Sequence, residues 1–96
     1  MWDRVINKLQ RGETVEVNAS GNSMTPRIYK GDKVTIIPLS SSDHVDKGDI
    51  VLAKVRGRIY CHLVTAVSDN KYQISNNHGH VNGWTSREKI YGKVQA

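Results

Sequence analysis

Long apolar runs, cysteine pairs and clustered charge are all missing from this chain, and each absence removes a class of function. No stretch of eighteen apolar residues occurs, so no helix is expected to span a bilayer. The opening Met1-Trp2-Asp3-Arg4 is too polar for a secretory signal, which points to the cytoplasm. A single cysteine, Cys61, excludes an internal disulfide and cannot build a thiolate zinc site. Fourteen Lys and Arg against nine Asp and Glu give a net charge of +5. The basic residues are dispersed from Arg4 to Lys93 and never run together, nor do aromatic residues interleave with them as a platform for single strands. Dispersed charge argues against nucleic acid as the main partner.

What is present fits one small domain. A chain of 96 residues buries only about two-thirds of its unfolded surface and supports one core, so residues 1–96 are expected to form a single unit. Residues 1–12 would be a helical segment and 13–96 a β core. Trp2, Val5, Ile6 and Leu9 recur at i, i+3, i+4 and i+7, with Gly12 as the stop, which predicts a short amphipathic helix over residues 2–11. From Glu13 to Ala19 the period changes to two, with Val15, Val17 and Ala19 on one face. Pro26 then bends the chain, Gly31-Asp32 turns it, and Lys33 to Pro38 is a β-branched strand.

Residues 39–48 read as a polar loop, after which Gly48-Asp49 repeats the Gly31-Asp32 pattern and opens a strand from Ile50 to Val55. Arg56-Gly57 signals a hairpin into the longest strand candidate, Arg58 to Val67. Asp69-Asn70 turns into Lys71 to Ser75, the segment N-N-H-G-H-V-N-G-W is expected to be a loop, and Ile90 to Val94 closes the chain. Neither an internal repeat nor a low-complexity segment is present. These signals predict an all-β, mainly antiparallel domain with one short N-terminal helix.

The chemistry-bearing candidates concentrate around S-M-T-P-R-I-Y-K-G-D, residues 23–32. A serine hydroxyl needs a neighbouring base to become a nucleophile, so Ser23 alone proves nothing. The only histidine within a strand-forming run is His62, which on a regular strand shares a face with Tyr60 and Val64 while Cys61 and Leu63 point the other way. If the hairpin of residues 50–67 packs beside the Ser23 bend, His62 reaches that hydroxyl. The plainer alternative is that Ser23 hydrogen-bonds its own turn and that His62 is a satisfied strand residue.

Ser20-Gly21-Asn22-Ser23-Met24-Thr25-Pro26, Gly31-Asp32-Lys33-Val34, Gly48-Asp49-Ile50-Val51, Tyr60-Cys61-His62-Leu63-Val64 and Tyr91-Gly92-Lys93-Val94 together resemble the ordered boxes of the signal peptidase and LexA-type serine peptidases. The resemblance covers residues 13 to 95. It implies that Ser23 is the nucleophile and, since His62 stands where other members carry lysine, that the chain is similar to the histidine-base branch of archaeal and endoplasmic-reticulum signal peptidases. It also implies a coiled β fold of the LexA and signal peptidase type.

On this reading the Ser23 amide binds the oxyanion, Met24 packs its thioether under the cleft and Pro26 restricts the bend. Two departures stand out. The serine that some members carry two residues before the nucleophile is Gly21 here, which leaves Asn22, Ser20 or another group as a second donor. The carboxylate that orients the base in the histidine branch is absent between Ser75 and Trp84. An amide oxygen of Asn76, Asn77 or Asn82 can hold the imidazole instead, or else Asp32, Asp49 or Asp69 substitutes.

His78 and His80 lack a third ligand of suitable spacing, so no metal is expected, and the chemistry needs no cofactor. The expected activity is that of a soluble serine endopeptidase cutting a protein precursor or itself, with the peptide bound as an extended strand. No membrane anchor and no helix-turn-helix is legible. Two rivals stand beside it: an inactive peptidase fold kept as a binding or assembly module, and a basic DNA-binding accessory protein.

Overall fold

The computed structural model describes residues 2–19, 21, 24, 27–40 and 42–95. Helix α1 spans Trp2–Gln10, one residue shorter than its periodicity predicts, because the chain turns through Arg11 and Gly12, the latter at φ 83°. Seven strands follow: β1 (Val15–Asn18), β2 (Lys33–Pro38), β3 (Ile50–Val55), β4 (Arg58–Ser68), β5 (Lys71–Ser75), β6 (Val81–Ser86) and β7 (Ile90–Val94). A single 3-10 turn, Arg87–Lys89, separates the last two. The expected all-β, antiparallel class with one N-terminal helix is what the structure shows. No helix among the described residues is long and apolar enough to cross a membrane.

All seven strands form one antiparallel sheet in the order β1-β2-β7-β3-β4-β5-β6. Both predicted two-residue hairpins are present. Arg56-Gly57 has φ 50° and 83°, and Asp69-Asn70 has 49° and 61°, the doubly left-handed turn whose twist matches that of the flanking strands. The two Gly-Asp turns share a device. Gly31 and Gly48 sit at φ 91° and 100°, and the aspartate after each accepts the backbone N–H three residues earlier, Tyr29 to Asp32 at 2.9 Å and Asp46 to Asp49 at 2.8 Å.

Alternation along β3 divides the interior in two. Val51, Ala53 and Val55 face one cluster with Val45, Val64, Ile74 and Ile90. Leu52 faces the other, with Leu9, Val34 and Ile36, beneath α1. The sheet also curls over itself: the Thr85 hydroxyl of β6 donates to the Lys54 carbonyl of β3 at 2.6 Å, joining strands that are three apart in the sheet order. The loop of residues 39–48 is fastened from the far end of the chain, where the Arg87 guanidinium donates to the carbonyls of Ser40 at 2.7 Å and Asp43 at 3.2 Å.

One expectation is corrected. The segment from Asn76 to Trp84 is not a continuous loop, since β6 starts at Val81. Asn-Gly suggests a turn, but Gly83 is a strand residue at φ 141°, and a Cβ there would lie 3.0 Å from Val55 Cγ1. Its glycine serves the close approach of β6 to β3 rather than a reversal of the chain.

Candidate active site

The first half of β4 supplies the base candidate. Strand β5 pairs with β4 only from Leu63 onward, so residues 58–62 have β3 on one side and no strand on the other among the described residues. β1 likewise has β2 as its one strand partner and forms the end of the sheet. Between these two edges lies a cavity of about 240 Å³. Its walls are Val17 to Ala19 at the end of β1, Gly21, Met24 and Ile28 from the following bend, Ile59 to His62 of β4, and Trp2 of α1. Met24 is 4% exposed, and its carbonyl accepts the N–H of Arg27 at 2.8 Å and of Ile28 at 3.0 Å.

His62 is held from two directions. Its ring stacks on that of Tyr60, centroids 5.1 Å apart and planes inclined by 28°, as expected for side chains two apart on one strand face. Its Nδ1–H donates to Oδ1 of Asn82 on β6 at 2.7 Å. That bond selects the neutral tautomer whose lone pair is on Nε2. Burial pushes the His62 pKa below its ordinary value. The Asn82 bond works in the opposite direction, and the nearby His80 imidazole adds a smaller depression. A depressed pKa keeps the imidazole unprotonated near neutrality, the state in which it can accept a proton.

Of the three amides expected as partners, Asn82 meets His62. The Asn76 Oδ1 accepts the backbone N–H groups of His78 at 2.8 Å and His80 at 2.9 Å and so shapes the turn before β6. Asn77 lies within that turn. The candidate acids are engaged elsewhere: Asp32 and Asp49 close their own turns, Asp49 also pairs with Lys93 at 3.4 Å, and Asp69 is in the β4–β5 hairpin. Cys61 packs into the cluster beneath α1, and burial raises its thiol pKa to about 11, so at neutral pH it is an uncharged wall atom. No cluster of three or more metal-ligating side chains occurs among the described residues.

The expected nucleophile Ser23, with Asn22 and Pro26, lies outside the described residues. Its chain neighbours Gly21 and Met24 do not, and both line the cavity that His62 lines. Contributors to the cavity that the sequence alone does not single out include Trp2, Ile28 and the ring of Tyr60. The signal for Tyr60 was its i, i+2 relation to His62, whereas Trp2 and Ile28 reach the cavity only through the tertiary fold.

A search of curated proteins finds no match. The sequence profile described as Peptidase S24-like matches residues 3–94, which takes in all seven strands and all of α1 but its first residue, Trp2. The chain belongs to the Peptidase S24-like family.

Proposed function

We propose that the protein is a serine endopeptidase in which Ser23 is the nucleophile and His62 the general base, acting on a protein precursor or on itself. Ser23 Oγ attacks the peptide carbonyl as its proton passes to His62 Nε2. The resulting imidazolium returns that proton to the leaving amine, and water, activated by the same nitrogen, then hydrolyses the acyl-enzyme. The backbone N–H of Ser23, with Asn22 beside it, stabilises the oxyanion. Asn82 keeps the imidazole in the reactive tautomer without adding the negative charge that a carboxylate would supply. The substrate is bound as an extended strand against the open edges of β1 and of residues 58–62.

One observation carries the reading. His62, with Nδ1 committed to Asn82 and its pKa pushed down by burial, lines the cavity that is also lined by the two residues flanking Ser23 at one and two positions. Asn82 is also what favours the rival, an idle peptidase fold serving as a binding module, since it removes the acid that speeds such reactions.

Labelling with a fluorophosphonate separates the two readings. The wild type is expected to form a stoichiometric adduct mapped to Ser23, faster above the His62 pKa than below it, and lost in Ser23→Ala and slowed strongly in His62→Ala. Absence of any Ser23-dependent adduct between pH 6 and 10, from a protein with an intact fold, would establish the idle module.

A further inference from the structure

The cavity beside His62 has a wall that the sheet does not build. Trp2 opens α1, and the helix stripe continues with Val5, Ile6 and Leu9 into the cluster over Leu52 and Ile36. Trp2 belongs to that cluster and also lines the cavity, facing a space bounded by Met24, Ile28 and Cys61. Among the described residues around this space there is no Asp, Glu, Lys or Arg. Cys61 is held neutral by its raised pKa, and His62 is biased towards its neutral form. A charged side chain entering here would lose its hydration and meet no opposite charge among the described residues, whereas an apolar one would exchange water for the thioether, methyl and indole surface that lines the space together with Asn18 and Tyr60. At about 240 Å³ the space is below the roughly 300–1,000 Å³ of pockets that enclose whole small molecules, and it suits a single side chain.

We infer that Trp2 is the specificity-determining residue of an apolar substrate subsite: the N-terminal helix closes the cavity beside His62 and selects an uncharged aliphatic side chain of the peptide. The inference rests on the endopeptidase reading and adds which part of the chain chooses the substrate. Because α1 is outside the sheet, its indole can set the depth of the subsite without touching the reacting atoms. Trp2 is thus separable from Ser23 and His62 in function. A hydrophobic pocket of this kind discriminates by about 10- to 200-fold between side chains differing by a methylene, so removing one wall is large enough to detect.

Two measurements test it. In the first, the Ser23→Ala protein is titrated with N-acetyl-leucinamide, N-acetyl-lysinamide and N-acetyl-glutamic acid amide while the Trp2 indole N–H and the Met24 methyl are followed by NMR. The leucine compound is expected to shift both signals, and the charged compounds neither. In the second, wild type, Trp2→Ala and Trp2→Phe digest a random decapeptide library, with products identified by mass spectrometry. The wild type should favour one aliphatic position near the cut, Trp2→Ala should accept aromatic residues there with a preference changed about tenfold, and Trp2→Phe should fall between.

Should Trp2→Ala fail to fold, the Trp2→Phe profile and the titration still decide the matter. Equal shifts from the charged compounds, or Ser23-dependent cleavage with identical profiles in all three proteins, would overturn the role of Trp2 and leave the endopeptidase reading intact. Selective shifts by the leucine compound without any cleavage would uphold the subsite and overturn the enzyme.

Discussion

At the scale of single residues, the proposed chemistry turns on the pair His62–Asn82. In that proposal the amide orients the imidazole, and the charge that a carboxylate would add is missing. Asn82→Asp should therefore raise the His62 pKa, because an adjacent negative charge favours the imidazolium. It should lift kcat/KM by about tenfold for each pKa unit of added transition-state stabilisation. The acidic limb of the pH–rate profile should move to higher pH in the same variant, and a rate that falls with an unmoved limb would deny His62 the role of base. Stability carries a second signature. The folded-state pKa of His62 lies below its ordinary 6.5, so below that value the unfolded chain binds more protons. The stability that neutral His62 contributes is complete above about pH 6.5 and is lost as pH falls through the folded pKa. Urea melts at pH 7.5 and 5.5 should show a smaller acid loss in His62→Gln than in the wild type.

At the scale of elements, the junction of α1 with β2 and β7 depends on one glycine. Gly92 lies opposite Pro38 and Leu52 in the sheet, and a Cβ there would fall 2.5 Å from Ile36 Cγ2 and 3.1 Å from Leu9 Cδ1. Ile36 is fully buried and Leu9 only 3% exposed, so neither has room to withdraw. Gly92→Ala is expected to lower the unfolding free energy by about 1–3 kcal/mol, the range for overpacking a tight core, as read from the urea midpoint. Because α1 rests on this contact and ends in Trp2, the same substitution should loosen the wall of the cavity. An unchanged midpoint would mean that α1 is docked elsewhere.

At the scale of the whole molecule, curling of the sheet is what brings β6 beside His62. Seven strands in the order β1 to β6 would place Asn82 far from β3 if the sheet were flat, yet Thr85 bonds to Lys54 and Asn82 reaches His62. Thr85 is 5% exposed, so Thr85→Val leaves the shape nearly unchanged and strips a buried hydrogen bond from the seam. A loss of about 1–3 kcal/mol is expected, with a fall in kcat exceeding any change in KM, because the seam holds the residue that orients the base. Equal activity in Thr85→Val would show that Asn82 is positioned by its own strand alone.

Local signals along the chain specify the class and most of the strands. Alternating apolar residues, the hairpin dipeptides Arg56-Gly57 and Asp69-Asn70, and the two Gly-Asp turns are local signals, carried by φ preferences and by burial of one face, and they were legible without a fold. His62 was legible because few histidines occur within a strand-forming run. The sequence leaves the partner of its Nδ1 open among Asn76, Asn77, Asn82, Asp32, Asp49 and Asp69, since residues 20 apart on different strands meet only after register and curvature are set. β6 looks like loop in the sequence for a related reason: Gly83 announces a turn locally, while its actual cause, the approach of Val55, is a long-range contact. Only the tertiary structure decided that Trp2, Met24 and His62 share one cavity. Local propensity encodes the strands; which edges remain open, and what faces them, follows from packing two clusters on opposite faces of one curled sheet.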